Sequence, residues 1–145
     1  MRRSYGARDV RLEGWEERLL LLIEGLPGER YELGRRDCFW LACQVVQALT
    51  GVDRWTQYAG TYRTRREALL AIAQRGRSFE EAASAFFGSE PVSVRMARRG
   101  DVCAYQDAGG EKHLVICMGS HAIGMAPEGV VRIPVSTCIA SWRIG

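Results

Sequence analysis

Cys38 and His113 are the residues of this chain best placed by type and position to do nucleophilic chemistry. Cys38 follows Asp37 directly and opens an apolar run that continues to Thr50. Aspartate is a favoured helix N-cap, because its carboxylate accepts hydrogen bonds from the free N–H groups of the first turn. The next residue sits where the helix dipole is most positive, so a thiol there is expected to move toward thiolate, its reactive form. A base is then required. The chain has two histidines, His113 and His121. His113 opens the apolar segment Leu114–Met118, and a strand-start histidine facing a helix N-terminus can form a thiolate–imidazolium pair. His121 falls in a turn, where two roles stay open: an orienting partner or a solvated side chain.

The elements that must hold these residues are legible from period and punctuation. Glu13 to Glu24 is expected to be helical, with Trp15, Leu19, Leu22 and Ile23 on one face and Gly25 and Pro27 ending it. Cys38 to Thr50 is expected as a second helix, with Leu41, Val45, Val46 and Leu49 at helical spacing and Gly51 as its left-handed cap. Thr64 with Glu67, and Ser78 with Glu81, are capping boxes that open two more helices, running to Gly76 and Gly88. The period then changes. Asp101–Tyr105, His113–Met118 and Val130–Ile133 are short, β-rich and bounded by glycines, as strands are. Asp107–Gly110 is a hairpin loop between the first two, and 119–121 and 127–129 are further turns. Helices that precede an antiparallel sheet indicate an α+β domain.

At 145 residues the chain is expected to form one domain, with a helical half to about residue 88 and a β half over about 100–143. Repeats, low-complexity tracts and a dividing linker are absent from the sequence. A hydrophobic share of 47% and a charged share of 26% fit a globular protein. The net charge of +3 is too mild and too scattered to argue for nucleic acid. Residues 1–9 are basic but lack the apolar core of a secretion signal, and Leu19–Ile23 is far too short to span a bilayer. Neither a signal peptide nor a membrane span is therefore expected.

The run Tyr31-Glu32-Leu33-Gly34-Arg35-Arg36-Asp37-Cys38 resembles the approach to the nucleophile in the NlpC-type cell-wall peptidases, papain-like cysteine peptidases of bacteria and phages. Arg99-Gly100-Asp101-Val102 resembles that family's Gly-Asp strand, and His113–Gly119 resembles its histidine strand. More narrowly, the chain is similar to a small phage- and prophage-encoded group found among tail genes. The shared features are Trp15–Leu19, Asp37-Cys38, Thr50–Asp53, Tyr58–Tyr62 and Trp142-Arg143. The resemblance implies a papain-like NlpC-type fold of N-terminal helices on a small antiparallel sheet. It implies Cys38 as nucleophile, His113 as general base, Asp37 as cap of the nucleophile helix and Tyr31 as a lining residue. It also implies hydrolysis of amides in peptidoglycan peptide stems, without a cofactor, by a protein made in the host cytoplasm and carried in the virion tail. Hub and baseplate proteins would be its partners. The alternative reading keeps the fold and makes the protein a catalytically degenerate structural or assembly component of that tail.

Three positions depart from the family pattern. The third polar residue, which orients the imidazole from about a dozen positions downstream, falls on Gly124-Met125-Ala126, where no side chain suits. His121 comes too early. Phe39 and Leu33 replace the usual small residue and tryptophan, and Phe39 is expected to narrow the cleft.

The remaining candidates read as structure. Cys43, Cys103, Cys117 and Cys138 are expected to be free, buried thiols, since cysteine packs as a small hydrophobe. Their spacing offers no zinc ligand pair. Trp40 is expected in the core. The arginines 35–36, 63–66 and 95–99 would form a basic face for an acidic partner or simply be solvated. Trp55, Tyr58 and Tyr62 lie in a loop that could wall a cleft or contact another protein.

Overall fold

A computed structural model describes residues 10–145; the basic N-terminal stretch lies outside them. The chain is α+β. Four helices precede a five-stranded antiparallel sheet: α1 (Trp15–Gly25), α2 (Cys38–Thr50), α3 (Arg65–Ala73) and α4 (Phe79–Phe87), then β1 (Val102–Gln106), β2 (Lys112–Cys117), β3 (His121–Ala126), β4 (Gly129–Pro134) and β5 (Ala140–Trp142). The strand order is β4-β3-β2-β1-β5. No helix among the described residues is long and apolar enough to cross a membrane.

The caps explain the helix boundaries. Asp37 accepts from the Trp40 N–H at 2.8 Å, and Gly51 closes α2 at φ 80°, a conformation a side chain resists. Thr64 and Ser78 cap α3 and α4 through the N–H groups of Glu67 and Glu81. Helix α3 ends at Ala73, short of the expected Gly76. The sequence reading missed β3 and β5, because β3 contains a glycine and alternates weakly, and β5 is only three residues long.

Helix α2 supplies the centre of the core. Leu41, Val45, Val46 and Leu49 are buried and pack with Leu19 of α1, Val102 and Ala104 of β1, Leu114 and Ile116 of β2 and Trp142 of β5. Burying each large side chain is worth roughly 1.5–3 kcal/mol. The opposite sheet face is also covered. Cys103, Val115, Cys117 and Ala122 pack there with Val135 and Cys138. All five cysteines are free, and Cys43, Cys103, Cys117 and Cys138 are buried as expected.

Asp101 is wholly buried beside the helical core. It accepts from Arg11 Nη2 at 2.9 Å, from the Arg98 N–H at 2.9 Å and from the Ile144 N–H at 3.2 Å. The aspartate of the Gly-Asp motif therefore fastens both ends of the described chain to β1.

Candidate functional site

The tip of α2 stands against the start of β2. Strands β2 and β3 pair at Ile116↔Ile123 and Cys117↔Ala122 and diverge before Leu114. Ladder alternation turns the Leu114 N–H away from β1, toward this divergence. The Cys38 sulfur occupies the position that this N–H faces, and the N–H groups of Cys38 and Phe39 also point at it. Cys38 and the backbone next to His113 are thus brought together.

The electrostatics differ from the sequence expectation. Burial, reinforced by the negative charge of Asp37, pushes the Cys38 thiol up to about 11, and the three backbone donors offset this only in part. The resting site holds a neutral thiol. Helix-terminal position alone does not make a thiolate when the sulfur is desolvated next to an anion.

The supporting loop is tightly tied. Asp37 is buried, and its Oδ2 accepts from the Gly34 N–H at 2.8 Å and from the Tyr62 hydroxyl. Burial first, then the Asp37 charge and that bond, hold the Tyr62 phenol far above its usual range, so it stays a donor. Gly34 has φ 84°, and a Cβ there would sit 1.9 Å from the Tyr62 carbonyl oxygen. Only glycine lets these two loops touch. Tyr31 packs against the core, and its phenol is pushed up to about 12 by burial first and then by the nearby Cys38, Asp37, Glu111 and Glu128. It lies near the α2 tip and the residues of both hairpin ends.

His113 is held by a residue that sequence reasoning missed. Its Nε2 lies 2.8 Å from Asp107 Oδ2, in the hairpin loop before β2. The bond to His113 is the largest cause that draws the Asp107 carboxyl below its ordinary range. An ionised Asp107 accepts, so Nε2 carries a proton and donates to it. The signal lay six residues upstream of His113, in a segment read as a hairpin loop, whereas the family pattern directed attention downstream. Met125, at the downstream position, is buried in the helical core.

Strand parity sets the side-chain directions. Leu114 and Ile116 face the helices, whereas Val115 and Cys117 line the opposite cluster. His113 shares their parity, and its ring centroid lies 6.3 Å from that of Tyr105. No hydrogen bond joins Cys38 to His113 among the described residues. His121 does not join the site either. It bonds Met118 through its backbone at the far end of β2, roughly 16 Å from His113 at strand rise, and its Nδ1 faces Ser120 Oγ at 3.0 Å.

Phe39 does not crowd the sulfur as expected. Its ring enters an aromatic cluster, 5.8 Å from Trp55, 5.2 Å from Tyr58 and 4.8 Å from Phe86. The aromatic loop thus buttresses the first turn of α2. Trp40 is half-buried against the core. Three of the arginines are ion-paired: Arg35 with Glu32, Arg65 with Glu111 and Arg98 with Asp101. Ligand atoms of Asp107, Glu111 and His113 lie within 4.8 Å of one another, a spacing that could hold a cation. The two carboxylates are already engaged by His113 and Arg65, however, so the set is accounted for by a hydrogen bond and an ion pair.

The model of a family described as a domain of unknown function (DUF6950) matches residues 10–144, and the chain belongs to that family. No curated protein matches the chain.

Proposed function

We propose that this DUF6950 protein has a papain-like NlpC-type fold and is a cysteine peptidase that hydrolyses amide bonds in peptidoglycan peptide stems. The observation that carries the reading is the Asp107–His113 bond at 2.8 Å, which orients a histidine one residue from the backbone donor facing the Cys38 sulfur. An orienting acceptor on one ring nitrogen is what a histidine base for a thiol needs.

In this mechanism His113 Nδ1 takes the Cys38 proton as the sulfur attacks the amide carbonyl. Proton transfer removes the need for a resting thiolate, in keeping with the high thiol pKa. Strand parity sets the His113 side chain on the sheet face away from α2, so this reading requires the imidazole to turn toward Cys38 when substrate binds. The N–H groups around the sulfur stabilise the oxyanion. The C–N bond then breaks, the amine leaves with the proton from His113, and a thioester remains on Cys38. Water attacks the thioester with His113 as base, which releases the acid and restores the thiol. The resemblance of the ordered motifs to tail-gene proteins supports a phage or prophage tail tip as the setting, where local wall cleavage would help the tail reach the membrane.

The second reading, a structural or assembly component bound to hub or baseplate proteins, is favoured by the neutral, half-buried thiol and by the strand parity of His113. Incubation of purified protein with peptidoglycan separates the two. The peptidase reading expects new free amines or soluble stem fragments that vanish with Cys38→Ala. Absence of product across pH 5 to 10 would favour the assembly role.

A further inference from the structure

Two helices each turn an uncovered stripe outward, and the stripes match in spacing and oppose in charge. On α1, Glu17, Leu20, Leu21 and Glu24 are exposed and fall at i, i+3, i+4 and i+7, the spacing of one helix face. On α3, Arg66, Leu69, Leu70 and Ala73 repeat that exposed pattern. The leucine pairs are 50% and 62% exposed on α1 and 47% and 54% on α3, so each stripe holds two large apolar side chains in water. Each stripe also carries one sign of free charge. Arg18, the one cation of α1, is turned onto the Ala48 carbonyl, and Glu67, the one carboxylate of α3, is occupied by the Thr64 cap. Among the described residues, Glu17, Glu24, Arg66 and the exposed Arg77 beyond α3 have no ion-pair partner. Within one chain α1 rests on α2 and α3 on α4, so neither stripe covers the other.

We infer that the α1 stripe of one copy docks on the α3 stripe of the next, a heterologous contact between identical chains. Antiparallel packing sets Glu24 against Arg66 and Glu17 toward Arg77, with the leucine pairs between them. The leucines form the apolar centre, and the charges at the rim select partner and direction. Pairing α1 with α1, or α3 with α3, would oppose like charges. A second copy is the occupant because the chain carries both complements at the same spacing. A head-to-tail contact leaves one stripe open at each end, so copies build a ring if the rotation closes and a filament if it does not. The inference is independent of the peptidase reading, since neither stripe contains a residue of the Cys38 site.

Sedimentation velocity of the full-length protein tests it. Two helix faces make a small interface, so association is expected at about 10–100 μM and is expected to weaken as salt rises. Leu21→Asp and Leu69→Asp are each expected to abolish assembly. Mixed, they are expected to recover a dimer and nothing larger, because the intact α3 of the first variant meets the intact α1 of the second. Arg66→Glu and Glu24→Arg are each expected to weaken association about threefold, and the double variant to restore it. All four positions are exposed, and melting curves confirm folding; the charge variants decide the matter where a leucine variant melts early. A protein that stays monomeric at about 1 mM, a leucine variant that assembles normally, a mixture that stays monomeric, or a double charge variant no tighter than the singles would each overturn the contact. Monomers that instead bind phosphatidylglycerol vesicles through Arg66 would also overturn it and assign α3 to a lipid surface.

Discussion

Asp107 Oδ2 and His113 Nε2 lie 2.8 Å apart, a carboxylate and an imidazole joined across the base of one hairpin. The bond fixes the ring orientation and places a proton on Nε2. Asp107→Asn keeps the acceptor for the Glu111 N–H, which Oδ1 serves at 2.9 Å, but loses control of the tautomer. It is expected to lower kcat by about 10²–10⁴-fold with little change in KM. Steady-state kinetics on a stem peptide measures this, and an unchanged kcat would show that the bond is merely structural.

The Cys38 thiol, raised from 9.0 to about 11, predicts two pH effects. Alkylation of Cys38 by iodoacetamide should be slow at pH 7 and accelerate as pH nears 11. Stability is linked to the same titration. The folded state holds this proton more tightly than the unfolded state, so the contribution is complete below pH 9 and is lost as pH rises toward 11. Thermal melts of wild type and Cys38→Ser over that range check it: the wild type should lose more. Rapid alkylation of Cys38 at pH 7 would contradict the neutral resting thiol.

Tyr62→Phe removes a donor from the buried Asp37 carboxylate. The expected cost is about 1.5–3 kcal/mol, since hydrogen bonds to charged groups are the stronger kind. Gly34→Ala should cost as much or more, because its Cβ would collide with the Tyr62 carbonyl. Denaturant unfolding reads both. If the loops relax freely, both values fall below about 0.5 kcal/mol, the range of a neutral surface change.

Asp101→Ala strands Arg11 and removes the acceptor for two backbone N–H groups. Breaking a buried pair in this way is expected to cost about 3–5 kcal/mol. Urea unfolding measures it. The variant should lose stability without a specific effect on KM, because Asp101 anchors the termini rather than the site.

The sequence was most readable where structure is local. Asp37, Gly51, Thr64 and Ser78 mark helix ends through bonds within four residues, and each cap is present. Strand β5 was illegible because its three residues are strands only by pairing with β1. The site shows the same division. The cap beside Cys38 is a neighbour in sequence, whereas the Leu114 donor depends on where two strands part. Asp107 was hidden because a turn aspartate has an adequate local explanation, and only the hairpin register folds it back onto His113. The thiol pKa was misjudged for a related reason: burial is a tertiary property that a helix cap does not reveal.

The most direct test is intact-protein mass spectrometry of acid-quenched mixtures with a peptidoglycan stem peptide. The account predicts an adduct with the mass of the acyl fragment, mapped to Cys38, lost on hydroxylamine treatment and absent in Cys38→Ala. Cleavage that persists in Cys38→Ala, or an acyl group carried by any other residue, would contradict it.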